Sequence, residues 1–162
     1  VIGTPIAEIV ANHPLLAGLP GGAVGQVAAC ATNVAFRAGQ LLLREGAPAD
    51  TLYLLRRGRV AIEVHWPQRG GVVIETVGPG ACVGWSWMVP PYRWQFDARA
   101  VEPVGVIAID GACLRGKAEA DPVLGYALMK RVSAVLVERL QATRLRLLDL
   151  YGSPVAGERS AR

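Results

Sequence analysis

The sequence is poor in the residues from which reactive centres are usually assembled. Only two histidines, His13 and His65, and three cysteines, Cys30, Cys82 and Cys113, are spread over its 162 residues. The histidines are isolated, no nucleophile stands at a spacing that would pair it with a base, and no cluster has the short paired spacing of a zinc or iron–sulfur site. A protein without catalytic residues and without a metal is therefore expected. Three cysteines far apart also match no disulfide framework, which predicts buried free thiols in a reducing cytoplasm. Long apolar runs are missing too. None reaches the roughly 20 residues needed to span a bilayer, and no basic segment leads into an apolar one at the N-terminus. The expectation is a soluble, unprocessed, cytoplasmic protein with no membrane contact.

With 52% apolar residues the chain can bury one core and is too short for two comfortable domains. The net charge of +4 is modest. Most of the surplus follows Asp121, where Lys130, Arg131, Arg139, Arg144 and Arg146 stand on a stretch of helical periodicity. A solvated helix surface explains them more simply than a nucleic-acid face, which would need a denser patch or a reading helix.

Residues 1–33 read as two short helices separated by a turn at His13 to Leu16, because Pro14, Pro20, Gly21 and Gly22 punctuate rather than continue a helix. From Val34 the period changes to two, and short strands follow at Val34–Arg37, Leu41–Arg44, Thr51–Leu55, Val60–Trp66, Val72–Val77, Phe96–Val101 and Val104–Ile109. Gly39, Gly46, Gly58 and Gly80 stand in the turns between them. This pattern predicts a mainly β fold with flanking helices: an antiparallel β-roll of the jelly-roll type over residues 34–110. An Asp110-Gly111 turn then leads to a short helix. Asp121-Pro122 opens a longer one, with Asp as N-cap and Pro at the first helical position. Leu124, Leu128, Val132, Val135, Leu136 and Leu140 keep the three-to-four spacing, so a helix of about 30 residues should run to Tyr151. Either it is one rod that exposes Leu140, Leu145, Leu147 and Leu148 and pairs with a second copy, or it folds back near Thr143. Residues 152–162 read as a disordered tail, leaving one domain over 1–151 with its C-terminal helices at 111–151.

The stretch from Gly78 to Ala100 stands apart. It holds three of the four tryptophans, Trp85, Trp87 and Trp94, together with Pro90-Pro91, and it interrupts the strands where a functional loop would.

Phe36-Arg37-Ala38-Gly39-Gln40, Arg44-Glu45-Gly46-Ala47-Pro48, Tyr53-Leu54-Leu55-Arg56-Arg57-Gly58 and Val77-Gly78-Pro79-Gly80 together resemble the cyclic nucleotide-binding domain family, over about Pro5 to Tyr151. The resemblance implies a stand-alone regulatory sensor of the bacterial catabolite-activator type, with residues 78–100 as its phosphate-binding cassette and cyclic AMP or cyclic GMP as the ligand. In the family the cassette's amides and an arginine hold the phosphate, and a glutamate takes the ribose hydroxyl. Carried onto this chain, Gly84 matches the cassette glycine and Trp85 falls on the glutamate, where an indole offers a donor but no acceptor. The arginine position falls on or beside Trp94, with Arg93 one place away. Ser86 and the amides after Gly84 are expected to hold an anion, Arg93 to neutralise it, Trp85, Trp87 or Trp94 to stack on a base, and Thr143 of the long helix to contact it. The alternative is a degenerate, ligand-free domain that serves as a dimerisation or docking subunit. Its partner would sit at the Trp-rich cassette, and a redox enzyme is a candidate because bacterial members accompany such enzymes. Regulators of this type read DNA through a helix-turn-helix after the long helix. The chain ends soon after Tyr151, so direct DNA binding is not expected.

Overall fold

The computed structural model describes residues 3–152. Two short helices, α1 (Ile6–Asn12) and α2 (Ala23–Ala28), precede eight strands: β1 (Ala31–Phe36), β2 (Leu41–Leu43), β3 (Thr51–Arg57), β4 (Val60–Trp66), β5 (Gly70–Val77), β6 (Cys82–Val83), β7 (Asp97–Ala100) and β8 (Val104–Asp110). A single 3₁₀ turn, Trp85–Met88, lies between β6 and β7, and α3 (Gly111–Ala120) and α4 (Pro122–Gly152) complete the fold. The strands form two four-stranded antiparallel sheets, β1-β8-β3-β6 and β2-β7-β4-β5. This is the β-roll with flanking helices and a long C-terminal helix that the strand spacing predicts. The N-terminal helices end before Cys30, so β1 starts at Ala31, ahead of the change of period at Val34.

In the β1-β8-β3-β6 sheet the central strands β3 and β8 are buried on both faces, and alternation along each sorts its side chains between two cores. Leu52, Leu54, Ile107 and Ile109 pack with Leu16, Val27, Leu114, Leu124 and Leu128 on the helical side. Leu55, Val104 and Val106 join Leu43, Ile62, Val83, Trp94 and Phe96 inside the roll. Burial on both faces is why Val104–Ile109 is apolar almost throughout instead of alternating with polar residues.

Gly39, Gly46, Gly58 and Gly80 all take positive φ. At Gly58 the need is steric as well as conformational, since a Cβ would stand 2.4 Å from the Pro103 carbonyl oxygen.

Asp121 caps α4 as its sequence position predicts. Its Oδ1 accepts from the Val123 and Leu124 amides at 3.1 and 3.3 Å, and its carboxyl is held below the usual range chiefly by the hydrogen bond from the Gln26 side chain. α4 then runs unbroken for 31 residues, about 46 Å, so the fold-back near Thr143 is not adopted. Only Leu124, Leu128 and Val132 are buried on it. Further along, Arg139 reaches Glu75 at 3.2 Å and Arg146 donates to the Ile74 carbonyl at 2.5 Å, so the helix lies beside edge strand β5. Leu140, Leu145, Leu148 and Leu150 remain at least half exposed.

The cysteine expectation needs correction. Cys30 and Cys113 form a disulfide across 83 residues of sequence, and only Cys82 is a free, buried thiol. The pairing is invisible to spacing because β1 and β8 create it. Their antiparallel register sets Ala31 against Ile109, and the Asp110 amide donates to the Cys30 carbonyl at 2.9 Å, which brings the end of α2 to the start of α3. The described residues contain no group able to hold a metal ion and no helix long and apolar enough to cross a membrane. Of the tail expected at residues 152–162, Gly152 is the last residue of α4, and residues 153–162 lie outside the described residues.

Candidate functional site

The loop from β6 to β7 is shaped by three backbone devices. Gly84 takes φ +93°, and a Cβ there would stand 2.8 Å from the Thr51 carbonyl and 2.9 Å from the Trp94 ring. The 3₁₀ turn follows at once. Pro90-Pro91 is a cis peptide and Tyr92 has φ +53°, which turns the chain back toward β7. On its way the Trp94 amide donates to the Ala47 carbonyl at 3.0 Å, and the Gly46 amide donates to the Trp94 carbonyl at 2.9 Å.

This return sets the directions of Arg93 and Trp94. Trp94 points into the roll, 4% exposed, packed with Phe96 and the Gly84 backbone. Arg93 points outward and donates to the Gly46 carbonyl at 2.8 Å. Neighbours on an extended segment face opposite ways, so the buried indole and the inward guanidinium are alternatives here, and the indole takes the inside.

Trp85 is partly buried, with its ring centroid 5.4 Å from that of Phe96. Over the Trp85 ring also lies Arg139 of α4, 4.6 Å from the centroid. Arg139 also donates to the Cys82 carbonyl at 2.8 Å and pairs with Glu75. Burial raises the Cys82 thiol pKa, and Arg139 offsets this in part. Cys82 itself is 2% exposed and packs in the helical-side core.

Trp87 belongs elsewhere. It is 1% exposed in the helical core, its carbonyl accepts from Arg115 of α3, and its indole N–H has no partner among the described residues. Ser86, between the two indoles, is half-buried. Thr143 is exposed, and its hydroxyl donates to the Arg139 carbonyl at 2.8 Å, within its own helix. Of the residues singled out from the sequence, the fold thus gathers Gly84, Trp85 and Trp94 and leaves Arg93, Trp87 and Thr143 apart. The residue that sequence reasoning missed is Arg139. Its signal was the Glu138-Arg139-Leu140-Gln141 run one turn before Thr143, which brings a guanidinium to the cassette.

A cavity of about 560 Å³ lies beside Arg139, between α4 and the end of β5. Leu15, Glu75, Val77, Cys82, Glu138 and Arg139 line it. Next to it the imidazole of His13 is buried; its Nδ1 accepts from the Leu15 amide at 3.2 Å, and burial lowers its pKa against the raising effect of the Leu55 and Ala81 carbonyls.

Around Gly84 the roll interior is thus occupied by Trp94, with Trp85 packed against Phe96 and the Arg139 guanidinium.

Comparison with known proteins agrees on the framework around this site. The model of the cyclic nucleotide-binding domain matches residues 33–121. A crystal structure from Geobacter metallireducens GS-15, described as a cyclic nucleotide-binding protein, is 31% identical with a TM-score of 0.76, covering 86% of this chain and 99% of that one. A cyclic nucleotide-binding domain from Methylobacillus flagellatus KT is 25% identical with a TM-score of 0.76, covering 96% of this chain and 85% of that one. The CRP-like cAMP-activated global transcriptional regulator of Mycobacterium tuberculosis is 26% identical over 150 residues, and Glutaminase 2 of Bradyrhizobium diazoefficiens 27% identical over 142. The matches cover 93% and 86% of this chain but only 65% of the regulator and 22% of the glutaminase. With its roll, its cassette loop and more than half of its length matched by the family, the chain belongs to the cyclic nucleotide-binding domain family of regulatory sensor domains.

Proposed function

We propose that this chain is a regulatory domain that works with its roll filled by its own aromatic side chains. In this reading it joins a second copy through α4 and presents the cassette surface to a protein partner, instead of opening and closing on a cyclic nucleotide held in the ordinary way. One observation carries the reading: Trp94 packs on the Gly84 backbone, where the family resemblance would put phosphate and arginine. Arg93 faces out, and Trp85 is already covered by Arg139. The exposed Leu140, Leu145 and Leu148 support helix pairing. The exposed Val89 and Tyr92, with the Arg115 guanidinium 4.4 Å over the Tyr92 ring, support a contact surface of aromatic and arginine character.

A second reading, a nucleotide sensor with a non-canonical cassette, is favoured by the cavity beside Arg139, whose size suits a small ligand. Calorimetric titration with cyclic AMP and cyclic GMP separates the two. No heat up to millimolar nucleotide is expected. Saturable binding that Arg139→Ala abolishes would replace the first reading with the second.

A further inference from the structure

We propose that Cys30 and Cys113 form a reversible thiol–disulfide site through which a dithiol reductant loosens α3 from the cassette. The inference is independent of whether any nucleotide binds. The bond lies one step beyond the last rung of the β1–β8 ladder, where Ala31 faces Ile109 and the Asp110 amide donates to the Cys30 carbonyl. These hydrogen bonds hold the two strands together without the sulfurs. What the disulfide adds is a tether on the first turn of α3, whose Cys113 amide is capped by Asp110 Oδ1 at 2.6 Å.

Opening it leaves the roll in place and removes one tie on the first turn of α3, where the Gly111 amide still donates to the Asp50 carbonyl at 2.7 Å. α3 begins at Gly111, wedged so closely that a Cβ would stand 3.0 Å from both the Asp50 carbonyl and the Trp87 Cβ. From α3, Arg115 donates to the Trp87 carbonyl and lies over the Tyr92 ring. A shift of α3 is thus passed to Trp87 and Tyr92 of the cassette loop.

The exchange chemistry is consistent with the burial of the two sulfurs. Cys113 is half-buried and Cys30 only 6% exposed. A thiolate of the dithiol attacks Cys113 Sγ, the S–S bond breaks, and Cys30 leaves as a thiolate that takes up a proton. The second thiol of the reductant then resolves the mixed disulfide, releasing the Cys113 thiol and the reductant's own disulfide, so two electrons pass to the pair. A small disulfide oxidant such as oxidised glutathione reverses the sequence. Cys82, free and buried, takes no part.

The test uses the full chain, oxidised with glutathione disulfide or reduced with dithiothreitol. Thiols counted after denaturation should number one in the oxidised protein and three in the reduced. Amide hydrogen exchange over Cys113–Ala120 should quicken at least about tenfold on reduction while β4 and β5 keep their protection. Cys82→Ser should respond in the same way, and Cys30→Ser/Cys113→Ser should exchange like the reduced protein under both conditions. Three thiols after oxidation, or α3 exchange that does not change with oxidation state in the wild type, would overturn the proposal. So would a loss of protection that spreads over the whole roll.

Discussion

The Arg139 guanidinium lies 4.6 Å over the Trp85 ring while one of its nitrogens reaches a Glu75 oxygen at 3.2 Å. One side chain of α4 thereby fastens the helix to the cassette and to the sheet edge. A cation–π contact and a partly buried, charge-assisted hydrogen bond together are worth about 1–3 kcal/mol. Arg139→Ala should lower unfolding free energy in urea by that amount and expose Trp85 to acrylamide quenching. Arg139→Lys keeps the charge but loses the planar stack and the fork, so it should restore less than half. An alanine variant within about 0.5 kcal/mol of wild type would mean that α4 is held by its apolar first half alone.

Trp94 and Arg93 should separate sharply. Trp94→Ala removes a buried indole from the roll interior and should cost about 3–5 kcal/mol. Gly84→Ala, which must hold φ +93° and meet the same ring, should cost about 2–5 kcal/mol. Arg93→Ala loses one exposed hydrogen bond to a carbonyl and should cost less than about 1 kcal/mol. Equal losses at 93 and 94 would contradict the assignment of inside and outside.

His13 makes stability depend on pH. Burial lowers its folded-state pKa, so the unfolded chain, with a value near 6.5, binds the proton more readily. The contribution is complete above about pH 6.5 and is lost as pH falls below it toward the depressed folded value. Protonation also removes the acceptor for the Leu15 amide. Between about pH 7.5 and pH 5.5 the urea midpoint of the wild type should therefore fall more steeply than that of His13→Gln. Parallel slopes would assign the pH dependence to carboxylates elsewhere.

Helix pairing is checked by sedimentation. Leu140 is 50% exposed on the unburied half of α4, and Leu140→Asp would put a charge into a pairing seam. A wild-type dimer that this variant dissociates is expected. A monomeric wild type would remove α4 as the contact.

Local chemistry was legible from sequence. Asp121 and Pro122 write the start of α4 in two residues, and Gly58 marks a turn that nothing with a Cβ can make. The roll followed from strand spacing because each strand obeys its own period. The site was only half legible. That one of Arg93 and Trp94 faces inward follows from alternation. Which one does depends on the turn through Pro90-Pro91 and Tyr92 and on pairing with Ala47, and these are long-range facts. The Glu138-Arg139-Leu140-Gln141 run marks Arg139 as a helix residue near the cassette, but its contact with Trp85 is made across distant segments. Cys30 and Cys113 look unrelated until β1 and β8 are paired in register. Each feature missed depends on two segments far apart in the chain.

The contact between Arg146 and the Ile74 carbonyl bears on how the protein stays out of aggregates. Ile74 is the residue skipped where the β4–β5 register shifts, and β5 has no further strand beside it. With Val73 and Ile74 about half exposed, such an edge invites another chain to add a strand. A bulge, a helix laid alongside and an arginine on a free carbonyl block that addition. Any event that lifts the far half of α4 from the sheet would uncover a template for intermolecular β-pairing.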